Sequence, residues 1–191
     1  MSVQFPQAEQ PAFWEEAQRH LMRRDRILRR LIPQQADVWL STSPSAFATM
    51  ARIIIGQQLS VRSANEMWQR FVDACGTPEP TPARVIELAS QDQGLQSLSK
   101  RKSSYIVGLA EHFEREWAQL PNWRDTDDEA IIAELCKIRG VGRWTAELFL
   151  IFYLGRPDVL PLDDASLLKA ISLHYFSGEP VSRFEARELA Q

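Results

Sequence analysis

Two adjacent carboxylates, Asp163 and Asp164, follow a glycine-containing segment whose spacing suggests chemistry on a phosphate-bearing substrate. The segment Ile138–Gly142 (IRGVG) lies between two helix-like runs and therefore predicts a tight turn. Glycine tolerates positive φ and lets a backbone approach another molecule closely. The first N–H groups of the next helix attract anions, and a nucleic-acid phosphate is the obvious candidate. Because carboxylates repel phosphate, an aspartate placed nearby indicates an enzyme that acts on nucleic acid.

Three blocks of the sequence carry a resemblance to one enzyme superfamily. They are IRGVGRWTAELFL followed by DVLPLDD, the stretch RIIIGQQLSVRSANEMW from Arg52 to Trp68, and GLQSLSKRKSSYIVGLA from Gly94 to Ala110. In this order they are similar to the helix-hairpin-helix DNA glycosylases of base excision repair. The similarity is greatest to the 3-methyladenine DNA glycosylase II (alkylated-base) branch and covers roughly residues 45 to 190.

The resemblance implies an all-α fold of two helical lobes with the active-site cleft between them. We expect a single glycosylase core over residues 1–191. One lobe, a helical bundle, would span about residues 52–155 and contain the hairpin 135–150, and the other would combine residues 1–51 and 156–191. Relatives continue into a further helix beyond the position of Gln191, so the chain is expected to be a fragment or to have lost that tail. We also expect it to lack the N-terminal α/β domain of some relatives.

The periodicity of apolar residues independently favours helices. A first helix is predicted from Phe13 to Leu31, stopped by Pro33, and no long segment alternates with period two. Further helix starts are predicted from capping residues at Ser43, Ser60, Thr81, Ser99, Thr126 with Glu129, Asp163 or Asp164, and Ser182 with Glu185.

By register with the family's loop, Asp164 is the predicted catalytic residue. An alkylated purine such as 3-methyladenine is cationic and leaves as a neutral base, so its glycosidic bond needs little general-acid help. It needs a negative group that stabilises an oxocarbenium-like transition state and orients water. The alternative is that the aspartate pair only caps a helix.

Trp144 distinguishes the branches of the superfamily. Strand-cleaving relatives carry at this point a lysine that forms a Schiff base with the sugar, and tryptophan cannot act as that nucleophile. The resemblance therefore implies a monofunctional enzyme whose indole stacks on a cationic base, by an attraction of roughly 1–2 kcal/mol. Leu148 stands where relatives often have a second aromatic residue, so the pocket is expected to be less aromatic. Alone, a tryptophan on an amphipathic helix is usually a core residue.

The remaining expected contacts are to DNA. Gln57, Gln58 and Leu59 match a segment that enters the minor groove, and either Gln58 or Leu59 is expected to fill the gap left by the flipped nucleotide. Alone, the glutamines could be an ordinary polar pair at a helix end. The hairpin is expected to bind phosphate, and the backbone of Ile138 and Val141 could hold a monovalent cation. Its predicted DNA-binding residues are Ile138, Arg139, Gly140, Val141, Gly142 and Arg143.

Composition narrows the setting. No apolar run is long enough to cross a membrane, and residues 1–18 show no secretory signal. Cys75 and Cys136 form no metal or disulfide pattern and cannot supply the four thiolates of a 4Fe–4S cluster, so no cofactor is expected beyond the hairpin cation. Cys136 is expected to be buried. We expect a monomer in the cytoplasm, associated with the nucleoid in a prokaryote.

The net charge of −3 argues mildly against a nucleic-acid partner, but its distribution does not. Basic residues concentrate in Arg19–Arg30, Lys100–Lys102 and Lys137–Arg143. We therefore expect a hydrolase of the DNA-3-methyladenine glycosylase II type, which releases alkylated purines (3-methyladenine, 7-methylguanine class) from damaged double-stranded DNA and leaves an abasic site. The alternatives are a non-catalytic helix-hairpin-helix DNA-binding module and a glycosylase for a neutral base such as hypoxanthine or uracil.

Overall fold

The computed structural model describes residues 10–35, 38–91, 95–117, 123 and 125–191. All regular elements in these ranges are helical, which confirms the predicted all-α class. Gly94, the first residue of the third block, and residues 1–9 lie outside the described ranges. The described α-helices are α1 (Trp14–Arg24), α2 (Arg26–Leu31), α3 (Ala46–Gly56), α4 (Val61–Cys75), α5 (Pro82–Ala89), α6 (Lys100–Arg115), α7 (Asp128–Leu135), α8 (Arg143–Phe152), α9 (Ala165–Tyr175) and α10 (Arg183–Ala190), with a 3-10 turn at Ile32–Gln35.

Helix α3 is the central helix of the first of two compact units, whose described residues lie within Ser43–Val159. Its sequence, AFATMARIIIG, is apolar on almost every face, which is typical of a helix buried on all sides. Met50, Ile54 and Ile55 are fully buried, and α4, α6 and α8 pack around the helix. The chain leaves α3 at Gly56, and α8, which packs against α3, begins at the predicted DNA contact Arg143.

Most helix starts in this unit follow the predicted capping residues. The side chains of Ser60, Thr81 and Ser99 each accept a hydrogen bond from the backbone N–H three residues further on. Two starts are shifted, because Ser45 caps α3 instead of Ser43 and Asp127 caps α7 instead of Thr126. The Asp127 carboxylate accepts from two N–H groups, of Glu129 and Ala130, and so satisfies two donors that the helix leaves open.

The second unit comprises the described residues of Phe5–Thr42 together with Leu160–Gln191. The predicted continuous helix from Phe13 to Leu31 is wrong, because Asp25 is extended (φ −125°, ψ 123°) and separates α1 from α2. Its carboxylate caps α2 and accepts the Tyr175 hydroxyl at 2.8 Å. Burial alone would raise the pKa of Asp25, but bonds from the Leu28 N–H, the Tyr175 hydroxyl and the Ile27 N–H lower it overall.

The two units differ in their bounds from the predicted lobes. The first unit begins at Ser43 and ends at Val159, whereas the prediction placed these bounds at about residues 52 and 155, so all of α3 belongs to the first unit. The cleft between lobes stays a prediction. Cys136 is exposed, so its predicted burial is wrong; the neighbouring Leu135 and Ile138 fill the core instead. Among the described helices, none combines the length and apolarity needed to cross a bilayer.

Candidate functional site

The hairpin turn between α7 and α8 is anchored by two buried side chains. Ile138 and Val141 lie in the core, and the Val141 N–H donates to the Ile138 carbonyl at 3.0 Å. Arg139 and Gly142, by contrast, are exposed. Any contact of Ile138 or Val141 with DNA or with a cation must therefore use backbone groups. A carbonyl oxygen has two lone pairs, so the Ile138 carbonyl can still accept from a second partner.

Gly140 is required by both its backbone and its surroundings. Its φ is +91°, which L residues rarely adopt. A Cβ at this position would lie 2.5 Å from Cγ of Tyr105 on α6, so the ring packs directly against the glycine. The Arg139 guanidinium lies over the same ring, 5.8 Å from its centroid. Gly142 differs, since its φ is −104° and an added Cβ would meet open space.

Gly142 is the N-cap of α8 and supplies no capping side chain. The next residue, Arg143, is held by two carboxylates: both terminal nitrogens donate to Glu129, one of them at 2.8 Å, and Nε donates to Glu147 at 2.9 Å. The bond to Glu129 raises the pKa of Arg143 and lowers that of Glu129. Much of the charge that the sequence assigned to phosphate binding is therefore balanced within the protein.

Gln57 joins the end of α3 to the hairpin. Its side-chain Nε2 donates to the Gly140 carbonyl at 3.1 Å and to the buried Thr145 hydroxyl at 3.0 Å. Both amide hydrogens are thus used inside the first unit. The sequence predicted a DNA contact for Gln57, whereas in the structure its side chain binds the hairpin turn.

Gln58 lies at the exposed tip of the same segment. It has a left-handed backbone (φ +60°), which is uncommon for a residue other than glycine. Its Oε1 accepts a hydrogen bond from Arg101 on α6 at 3.3 Å. Leu59 is half-buried, and its N–H donates to the Gly56 carbonyl at 3.2 Å. Of the two residues expected to enter the duplex, Gln58 is the more accessible.

Trp144 and Leu148 occupy the same face of α8, one turn apart. Trp144 is half-buried and packs against the hydrophobic core, and Leu148 is buried. The indole therefore contributes to packing as well as offering part of its surface. The core role that the sequence left open for Trp144 is thus observed in part, and its stacking on a base stays a prediction.

The two aspartates belong to the second unit and have different partners. Asp164 is buried and is the N-cap of α9, and its Oδ1 accepts from the N–H groups of Ser166 at 2.8 Å and Leu167 at 2.9 Å. Asp163 pairs with Arg183 at 2.5 Å. The capping role that the sequence left open between them thus falls to Asp164. These bonds fix the orientation of its carboxylate.

Comparison with known proteins identifies the family. Residues 51–190 match the family described as HhH-GPD superfamily base excision DNA repair protein. The chain belongs to this superfamily. One relative, YfjP of Bacillus subtilis, is 32% identical over 170 residues, which cover 85% of this chain and 59% of that protein. The alkylbase DNA glycosidase-like protein mag2 of Schizosaccharomyces pombe is 30% identical over 161 residues, covering 81% of this chain and 75% of that protein.

A solved structure shares the superfamily fold. The 3-methyladenine DNA glycosylase Mag1 of Schizosaccharomyces pombe, in complex with abasic DNA, has a TM-score of 0.76 at 25% identity and is matched over 91% of this chain and 86% of that one. The fold predicted from the three sequence blocks is therefore confirmed. The chain spans only part of the length of its relatives, including 59% of YfjP.

Three residues that help to shape this site were missed in the sequence. The sequence placed Lys102 only in a basic cluster and indicated no separate role for Tyr105 or Thr145. Tyr105 contacts the hairpin, and Lys102 and Thr145 contact the turn after α3. In each case the two partners are far apart in the sequence. No local pattern signals such contacts.

Proposed function

We propose that this chain is a monofunctional DNA glycosylase that hydrolyses the N-glycosidic bond of alkylated purines of the 3-methyladenine and 7-methylguanine class in duplex DNA. The observation that carries the proposal is Asp164, a buried carboxylate fixed by two backbone N–H groups at the position of the family's catalytic aspartate. The names of the relatives support the substrate class, since mag2 is called alkylbase DNA glycosidase-like and Mag1 a 3-methyladenine DNA glycosylase.

The proposed reaction needs one negative charge. The bond between the sugar C1′ and the base nitrogen breaks, and its electron pair neutralises the cationic base as it leaves. Positive charge develops on the sugar, and the Asp164 carboxylate stabilises it. A water oxygen then bonds to C1′, and its proton passes to the carboxylate or to solvent. Because the two capping bonds hold the carboxylate in place, little reorganisation is needed at the moment of reaction.

DNA binding is assigned to the first unit. The exposed backbone around Gly142 and the Arg139 side chain would contact phosphate, and Gln58 would fill the gap left by the flipped nucleotide. The exposed part of Trp144 would stack on the cationic base. The carbonyls of Ile138 and Val141 are hard oxygen donors that fit a monovalent cation, and no step of the reaction depends on one.

We further propose that the protein acts as a monomer on double-stranded DNA with damaged bases, in the compartment that holds the DNA, which in a prokaryote is the nucleoid of the cytoplasm. No cofactor is needed for this chemistry, because the leaving group is already activated by its own charge.

The test is base release from methylated duplex DNA, with identification of the freed base. Asp164→Asn keeps the capping oxygen, since asparagine caps a helix as well as aspartate does, but it removes the charge. We expect single-turnover release to fall by about 100-fold or more, with binding of damaged duplex retained. Asp163→Asn is the matched control, because it removes a neighbouring charge that pairs with Arg183. We expect near wild-type release from that variant.

The remaining outcomes separate the alternatives. Release of hypoxanthine or uracil alone would indicate a glycosylase for neutral bases, and DNA binding without release would indicate a binding module. Near wild-type turnover of Asp164→Asn would show that this residue takes no part in the chemistry.

The product strand should stay intact until it is treated with alkali, and borohydride should trap no enzyme–DNA adduct, because Trp144 replaces the lysine and Lys137 pairs with Glu134. A trapped adduct lost in Lys137→Ala would overturn the monofunctional assignment.

A further inference from the structure

Lys102 lies on the first turn of α6, and its ammonium group contacts the backbone of the turn that follows α3. Its Nζ donates to the Ile55 carbonyl at 2.5 Å and to the Gln57 carbonyl at 3.1 Å. These carbonyls lie at the C-terminal end of α3, where the last turn of a helix lacks intrahelical donors. A cation is also favoured there by the helix dipole. Lys102 therefore caps the buried central helix from a different helix.

The capped segment leads directly into Gln58, whose left-handed backbone needs support. A non-glycine residue with φ +60° persists only where its surroundings determine the conformation. On its N-terminal side, Gln57 is fixed at its carbonyl by Lys102 and at its side chain by Gly140 and Thr145. On its C-terminal side, the Leu59 N–H is bonded to Gly56. Without Lys102, one of these constraints is lost at the residue just before Gln58.

The register of α6 places Lys102 for this contact. Ser99 caps α6 by accepting a hydrogen bond from the Lys102 N–H at 3.3 Å, and this bond fixes the backbone of Lys102. The adjacent Arg101 contacts the Gln58 side chain. Lys102 is half-buried, and burial, followed by the charge of Arg101, lowers its pKa. Its ammonium group faces the protein carbonyls and is already engaged, so it is a poor candidate for a phosphate contact.

We propose that Lys102 is a positioning residue for base extrusion: by capping the end of α3 it holds Gln58 in the conformation from which its side chain enters the duplex. This inference rests on the proposed function. It assigns Lys102 no contact with the reacting atoms, so its effect must pass through Gln58.

The test is a double-mutant cycle between Lys102 and Gln58. Base release is measured under single turnover on a duplex with one 7-methylguanine, and a 2-aminopurine beside the lesion reports unstacking. We expect Lys102→Met to slow release by about tenfold or more, as for a lost hydrogen bond to a charged group, and to reduce the fluorescence rise. Binding of undamaged duplex should stay within about twofold, since the Lys102 ammonium group bonds to the Ile55 and Gln57 carbonyls, outside the hairpin segment 138–142 that is proposed to bind phosphate.

Three comparisons make the result specific to the turn after α3. In the Gln58→Ala background, Lys102→Met should cost no more than about twofold, because coupled residues are not additive. Lys100→Met removes the same charge from an exposed position of the same helix and should leave release unchanged. Lys102→Arg, which keeps a cationic donor, should restore release to within about threefold of wild type and provides a folded variant if Lys102→Met unfolds.

Each contrary result has a distinct meaning. Equal losses from Lys102→Met with and without Gln58 would overturn the inference and leave Lys102 as a general stabiliser. Wild-type release by Lys102→Met would also overturn it, without touching the proposed function. A wild-type protein that releases no base from methylated DNA would overturn the proposed function, and this inference with it.

Discussion

At the scale of single residues, Asp164 has an observed capping role and a proposed catalytic role, which the sequence set against each other. One oxygen of its carboxylate caps α9 through two N–H groups, and the same bonds orient the group. Capping is therefore no argument against catalysis here. Asp163, which could have capped the helix, instead pairs with Arg183.

The two hairpin glycines, which the sequence treated alike, should behave differently on substitution. Gly140→Ala combines φ +91° with a contact of 2.5 Å to the Tyr105 ring, so we expect a loss of stability of about 2 kcal/mol, or about 4–8 °C in Tm. Gly142→Ala meets open space and should leave Tm almost unchanged. If the turn grips phosphate, that methyl group should weaken binding of damaged and undamaged duplex equally.

Thermal unfolding and duplex binding of the two variants check this prediction together. If Gly142→Ala bound every duplex with wild-type affinity, the hairpin turn would not contact phosphate. A loss confined to damaged DNA would instead place Gly142 near the flipped base.

Trp144 should influence which bases are released. Because its ring is half-buried, Trp144→Ala will also cost stability, so the ratio between substrates is the informative quantity. Cation–π attraction of about 1–2 kcal/mol predicts that release of 7-methylguanine falls about 5- to 30-fold more than release of hypoxanthine. Single-turnover rates on matched duplexes give this ratio. Equal losses for the two bases would mean that the indole serves only as packing.

At the scale of elements, local signals predicted most helix starts and missed contacts that are remote in sequence. Ser60, Thr81 and Ser99 cap where the sequence placed them, because a cap depends on residues three positions apart. The break at Asp25 was missed, since the apolar spacing continues across it. Its second partner, Tyr175, is 150 residues away.

The same limit applies to the candidate site. The IRGVG segment and Asp164 could be found from motif and spacing, and the family resemblance supplied their roles. The long-range bonds that fix the hairpin and the turn after α3 could not be found this way: Gln57 reaches Gly140 across 83 residues, and Lys102 reaches Ile55 across 47. Such contacts follow from how α3, α6 and α8 pack together, and no single window of the sequence contains that information.

At the scale of the whole molecule, the net charge of the protein must be reconciled with the proposed polyanionic substrate. The net charge is −3, so binding cannot depend on a general positive field. The basic side chains near the hairpin are also unequal. Arg139 is exposed and lies over the Tyr105 ring, whereas Arg143 is held by Glu129 and Glu147. Few phosphates should therefore be neutralised, and the dependence of affinity on salt should be shallow.

Arg139→Gln and Arg143→Gln measure this difference. Each phosphate contact contributes about 0.9 to the slope of log K against log salt concentration. We expect Arg139→Gln to reduce the slope by about one contact and Arg143→Gln to reduce it by much less, because two carboxylates already balance its charge. Arg143→Gln should instead lower Tm. Arg115→Gln, which removes the same charge at the C-terminal end of α6, should leave the slope unchanged. If Arg143→Gln reduced the slope as much as Arg139→Gln, then Arg143 would exchange its carboxylates for phosphate when DNA binds.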